Sequence, residues 1–394
     1  MKSKYYFDHA ATTPMDSIVF EAMKPYLMEE FANPSSIYSA ARITRGALED
    51  ARHIAANVFG AKATEIVFTS GGTEGNNLAI QGVLYNLHTN AHWVTTSIEH
   101  DAVLSQVEPL ERAGFPCTIV PVKANGIVDS ALVVEAIKDD TALISVMLAN
   151  NEIGTIQPVA DIAKQLEAIR ANRIARGIKM PLYLHTDAVQ APNYLDLHVD
   201  RLGVDLLTLS GSKIYGPRGS GVLYIRFGTK LEPLIWGGGQ ERGRRSGTEN
   251  VAGAVGFATA LKLTQEMRAK EAHKISSLRD ELLKNIIVEI PDAIINGDKK
   301  RRLPNNINLT IPEVEGEGMV LYLDNAGILA STGSACSSGS LDPSHVLLAI
   351  GRTKDEASQS LRLTLGRDTT EEMCHLVAKE LPRIVKRLRE IQAF

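Results

Sequence analysis

Lys213 lies in LLTLSGSKIYGPRGSGVLYI, where a strand-like run ends in a Ser-Gly-Ser turn and glycine-rich chain follows before another apolar run. An amine held at such a turn can form an imine with an aldehyde cofactor. It becomes a better nucleophile when burial or neighbouring cations destabilise its charge. Asp187, in YLHTDAVQA, closes a second apolar run. A carboxylate there suits the protonated nitrogen of a pyridine ring, and Gln190 can reach that ring's phenolic oxygen if the chain turns after Asp187. Ordinary roles stay open for all three: a surface lysine, a helix cap and a packed polar side chain.

The stretch TEIVFTSGGTEGNNLAI passes from a strand-like run through Gly71-Gly72-Thr73 into a helix start. Backbone N–H groups at a helix N-terminus, with the Thr73 hydroxyl, make a phosphate cradle, although turns of this composition also serve structure alone. It is neither a P-loop nor a complete GxGxxG pattern. His100, in TTSIEHDAV, follows an apolar run, and an imidazole there can stack on a planar cofactor and move protons. Asn151, in LANNEIGTIQP, can orient a ring through its amide or simply close an Asx-turn. Arg362, in SLRLTLGR, can hold a substrate carboxylate through both oxygens, or be a surface arginine beside a strand. GGGQERGRRSGTEN groups Arg242, Arg244, Arg245 and Thr248 with close-approach glycines, which suits an anion or an interdomain turn.

Three cysteines occur, Cys117, Cys336 and Cys374. Cys336, in ASTGSACSSGSLDPSHV, is surrounded by Gly and Ser rather than apolar partners, so an exposed loop and a usable thiolate are expected. Cys117 and Cys374 read as strand and helix core positions. Three scattered cysteines make neither a disulfide framework nor a zinc or self-contained Fe–S cluster signature.

These residues need a scaffold, and strand-like runs recur at 92–96, 116–120, 142–148, 182–185 and 205–209 with helical patterns such as 159–170 between many of them. That alternation predicts an α/β fold with a mainly parallel sheet flanked by helices. A short strand near 5–7, helices over 16–28 and 37–59, and a long helical stretch from about 250 to 287 complete the outline. The expected organisation is an N-terminal segment (1–15) packing with a small α+β domain, a large catalytic domain (16–247), and a connecting helix plus small domain (248–394) carrying Cys336. A chain of 394 residues supports a substantial core. Its 42 basic and 46 acidic residues are well mixed and net to −4, which gives no reason to expect general nucleic-acid or membrane binding. The polar start MKSKYYFDHA lacks a signal-peptide core, and no apolar run approaches about 20 residues, so a cytoplasmic chain is expected.

FDHAATTP, FANPSS, VFTSGGTEGNNLAI, EHDAV, NNEIGTIQP, HTDAVQ, SKIYGPRG, GGGQERGRRSGTEN, STGSACSSGS and LRLTLGR stand in that order along nearly the whole chain. In this the chain resembles cysteine desulfurases of the NifS/IscS class, in the class-V aminotransferase-like group of pyridoxal-phosphate enzymes with the type I fold. The resemblance implies conversion of L-cysteine to L-alanine and a Cys336 persulfide. Lys213 would form the internal aldimine, Asp187 would pair with the pyridine nitrogen, and Gln190 would approach the phenolic oxygen. His100 would lie over the ring and move protons, and Asn151 would sit near the ring substituents and the bound amino acid. Gly72, Thr73, Ser210 and Ser212 would line the phosphate side, with Thr248 supplied by the other protomer of a homodimer. Arg362, Asn151 and Asn33 would receive the substrate.

The chain departs from the family's usual Ser-Gly-His-Lys at Ser210-Gly211-Ser212-Lys213, so a hydroxyl replaces an imidazole. Tyr38 likewise stands where many relatives have histidine. The resemblance also implies a sulfur acceptor, expected to be an Fe–S scaffold, with tRNA or DNA sulfur modification as alternatives. A selenocysteine lyase or an aminotransferase on the same fold are the enzymatic alternatives. Desulfuration needs no metal, while Cys336 is a candidate transient Fe–S ligand during delivery.

Overall fold

Short apolar runs bounded by turn residues become strands, and those at His92–Thr96, Thr141–Ser145, Leu206–Ser210 and Gly221–Ile225 are buried at every position, the expected signature of a helix-covered sheet. The structure, a computed structural model, describes residues 5–87, 90–332 and 343–392. In chain order the strands are β1 (Tyr5–Tyr6), β2 (Ile66–Thr69), β3 (His92–Thr96), β4 (Cys117–Val120), β5 (Thr141–Ser145), β6 (Tyr183–Asp187), β7 (Leu206–Ser210), β8 (Gly221–Ile225), β9 (Ile294–Ile295), β10 (Asn306–Thr310), β11 (Ile328–Leu329) and β12 (Ser360–Thr364). Seven form the large sheet in the order β2-β8-β7-β6-β5-β3-β4. All its neighbours pair in parallel except β8, which runs against both β2 and β7. A three-stranded antiparallel sheet, β12-β10-β9, builds the smaller domain, and β1 pairs in parallel with β11 beside it.

The helix Val251–Glu289 links the two cores. At 39 residues it is about 58 Å long at 1.5 Å per residue. Ala252, Phe257 and Leu261 pack into the core of the large sheet, while Ile275, Leu278, Leu282 and Ile286 pack into that of the small one. Its first half lies against helices Ser17–Met28 and Ser39–Phe59, and its second against Glu371–Gln392. Asn250 caps its start by accepting the Gly253 N–H at 2.9 Å. Among the described residues no helix is long and apolar enough to cross a membrane.

Candidate active site

Parallel strands all end on one edge, and open α/β folds place ligands just beyond it. Here β6 ends at Asp187 and β7 at Ser210, while the chain leaving β3 reaches His100 and that leaving β5 reaches Asn151. Opposite them stands the N-terminus of the helix Gly72–Asn86. Together with Arg362 of β12 these groups enclose a cavity of about 190 Å³. Its lining includes Gly72, Thr73, His100, Asn151, Asp187, Gln190, Ser210, Ser212, Lys213 and Arg362, a set drawn from most of the chain's length.

Each side chain is held by identifiable partners. Asp187 is buried; its Oδ2 accepts from Asn76 Nδ2 at 2.6 Å and its Oδ1 from the Val189 N–H at 3.0 Å. Lys213 closes the short 3₁₀ turn Gly211–Lys213, donates from Nζ to the Ala11 carbonyl, and offers its own carbonyl to Asn193 Nδ2 at 2.8 Å. Gln190 Nε2 donates to the Ala10 carbonyl at 3.0 Å. The Ser210 and Ser212 hydroxyls lie 3.1 Å apart. His100 caps the helix Asp101–Leu104, its Nδ1 accepting the Ala102 N–H at 3.0 Å, so a neutral ring carries its hydrogen on Nε2. Arg362 donates to Asp8 Oδ1 at 2.9 Å and to the Asn151 carbonyl at 3.1 Å.

Glycine makes the anion end of the cavity. Gly71 has φ of 153°, and a Cβ on Gly72 would meet Val189 Cγ2 at 2.9 Å, so the helix start is pressed close to the β6 turn. Its free N–H groups favour a negative charge there. The cavity therefore brings together an amine, a buried carboxylate, a guanidinium and an anion cradle.

Two predicted residues stand elsewhere. Thr248 lines a separate cavity of about 210 Å³ with Ser70, Ser220 and Arg245. Asn33 is exposed and closes an Asx-turn to the Ser35 N–H at 2.9 Å. The grouped arginines are each engaged: Arg242 with Glu49, Arg244 with the Thr64 carbonyl, and Arg245 with Glu74. Cys336 lies outside the described residues. Sequence reasoning overlooked Asn76, although it sits one helical turn beyond Gly72 and hence on the same face.

It also overlooked two buried carboxyls behind the cavity wall. Glu152 accepts from the Ser344 hydroxyl at 2.5 Å, and burial raises its pKa. Glu99 accepts from Thr96 Oγ1 at 2.7 Å and the Met147 N–H at 3.0 Å, while its Oε2 has no partner. Burial pushes Glu99 from an ordinary 4.5 up to about 8. Folding thus takes up a proton across that interval, and the associated stability falls as pH rises from 4.5 through 8. Glu99→Gln is expected to flatten that decline, read as urea midpoints of wild type and variant over the same pH series.

Residues 5–376 match the family described as aminotransferase class-V. Cysteine desulfurase IscS of Dictyoglomus turgidum is 48% identical over 395 residues, covering 100% of this chain and 98% of its own. Cysteine desulfurase IscS of Methanosarcina thermophila is 46% identical, covering 98% of this chain and 93% of its own. A solved structure described as a NifS-like protein superposes with a TM-score of 0.88 at 34% identity, over 98% of this chain and 100% of that one. Another, described as SspA in complex with cysteine, gives 0.79 at 38% identity over 92% and 99%.

Proposed function

The chain belongs to the class-V aminotransferase family and, within it, to the cysteine desulfurases, and from that premise we propose that it converts L-cysteine to L-alanine with pyridoxal phosphate and keeps the sulfur as a Cys336 persulfide. The observation that carries this reading is the meeting of Lys213, Asp187 and Arg362 in one cavity. The donor set suits the cofactor: the Lys213 amine for its aldehyde, the buried Asp187 carboxylate for its ring nitrogen, and the Gly72 helix start with Thr73, Ser210 and Ser212 for its phosphate. Gln190 suits the phenolic oxygen and His100 the ring face. Ser212 would donate a hydrogen bond to the phosphate but would bring it no cationic imidazolium.

When bound, the cofactor supplies an aldehyde that condenses with amines and a ring that accepts electrons from the substrate Cα. Arg362 binds the substrate carboxylate and so fixes which Cα bond faces the ring. Lys213 Nζ would serve as the base that takes the Cα proton. Asp187, itself held by Asn76, would keep the ring nitrogen protonated. The Cys336 thiolate attacks the substrate sulfur; the S–S bond forms as the C–S bond breaks, and its electron pair returns to carbon. Protonation there, with His100 as the proton-transfer group, leads to L-alanine. The persulfide then passes to an acceptor, for which Fe–S cluster assembly is our reading.

Thr248 lies outside this chain's cavity, and we place it on the phosphate of a second copy, making the protein a homodimer. The direct test is incubation of cofactor-loaded protein with L-cysteine, followed by amino-acid and intact-mass analysis. L-alanine with a sulfur adduct on the protein supports the reading, and the absence of both overturns it.

A further inference from the structure

Arg362 is 2% exposed, and its charge must be balanced inside the protein. The nearest carboxylate to it is Asp8, whose Oδ1 accepts from it at 2.9 Å. Asp8 is not on a swinging segment. It bridges Thr364 of β12, and the next residues are stitched across the same cavity: the Ala10 N–H donates to Thr364 Oγ1 at 2.9 Å, Gln190 donates to the Ala10 carbonyl, and Lys213 to the Ala11 carbonyl. The Asn151 carbonyl takes a second N–H of Arg362, while Nε has no partner. An amino-acid carboxylate that engages the remaining N–H groups therefore enters beside a fixed negative charge on the same guanidinium.

We propose that Asp8 is the built-in counter-ion of Arg362 and a specificity-determining residue that moderates the affinity of the cavity for amino-acid carboxylates. The inference rests on the functional reading above, in which Arg362 receives the substrate carboxylate. Product and substrate carry the same carboxylate, so an unopposed arginine would hold L-alanine after the sulfur has left. Asp8 lets the carboxylate bind by sharing Arg362 rather than by neutralising it, and this keeps product release fast.

Asp8→Asn separates charge from geometry, because the amide oxygen still accepts from Arg362 while the negative charge is gone. Titration calorimetry of the holoenzyme with L-alanine and with L-alaninamide, which lacks the carboxylate, reads the effect. The expected result is about tenfold tighter L-alanine binding in Asp8→Asn, the size of a single like-charge interaction at contact distance, with L-alaninamide changed less than about twofold. Unchanged or weaker L-alanine binding by a folded variant overturns the proposal, since a purely structural Asp8 cannot make the site bind better when removed. Asp8→Ser, which also removes the charge, is measured alongside with melting temperatures. Failure of both variants to fold assigns Asp8 to the fold alone and equally overturns it. If wild-type protein makes no L-alanine from L-cysteine, the functional reading falls, whereas calorimetry with L-alanine still judges Asp8.

Discussion

Lys213→Ala is expected to lower L-alanine formation by at least about 10⁴-fold while leaving the fold intact. A positioned general base contributes about 10² to 10⁴ on its own, and this lysine also supplies the covalent attachment that places the cofactor aldehyde. Its loss removes both roles, so the effects compound. The scaffold is not expected to suffer, because the Lys213 side chain lines the cavity rather than a core, its Nζ donating to the Ala11 carbonyl. Circular dichroism and melting temperature check that point. A further result follows from the vacated volume: small primary amines added to Lys213→Ala should restore part of the activity, more with the more basic amine of equal size. Activity within about tenfold of wild type without added amine would remove Lys213 from the chemistry and leave it as a loop anchor.

That prediction was legible in the sequence because its signal is local. A strand-like run, a Ser-Gly-Ser turn and a glycine-rich return are all contiguous with Lys213, and the structure shows β7, a 3₁₀ turn and β8 in that order. The same holds for the β2-to-helix turn at Gly71-Gly72 and for Asp187 at the end of β6. Ends of elements were less legible. The apolar run 142–148 reads as one strand, yet β5 stops at Ser145; beyond it the Val146 and Leu148 N–H groups still donate to the His185 and Asp187 carbonyls, while Met147 and Ala149 line the cavity.

What sequence could not express is pairing across the fold. Asn76 and Asp187 are 111 positions apart, and Asp8 and Arg362 are 354 apart, so no periodicity or motif registers either contact. Buried Glu99 and Glu152 look like ordinary surface acids in EHDAV and NNEIG. Only the packing of neighbouring elements removes their solvent and changes their titration. Thr248 and Asn33 belong to a different class: their expected roles came from resemblance, and within this chain the described geometry keeps both away from Lys213.

Cys336→Ala is expected to abolish the protein-bound persulfide and reduce L-alanine formation by at least about 10³-fold without added thiol, since the nucleophile is removed outright. L-cysteine binding should be nearly unchanged, because the groups proposed to hold it, Arg362 and Asn151, are contributed by other parts of the chain. The label can be assigned cleanly. Burial pushes the thiols of both Cys117 and Cys374 up to about 12, so neither offers appreciable thiolate at neutral pH, and alkylation there should report on Cys336. Peptide mass spectrometry after L-cysteine treatment, with alanine measured in the same samples, reads both arms. A persulfide that persists on Cys117 or Cys374 in the variant would move the sulfur-accepting role to that residue. Alanine formation that survives Cys336→Ala only when pyruvate is added would mark amino-group transfer instead, because pyruvate then takes up the cysteine amino group and regenerates the cofactor without any thiolate. The two variants therefore divide the chemistry at its joint: Lys213 is needed before the C–S bond is weakened, and Cys336 only when that bond breaks.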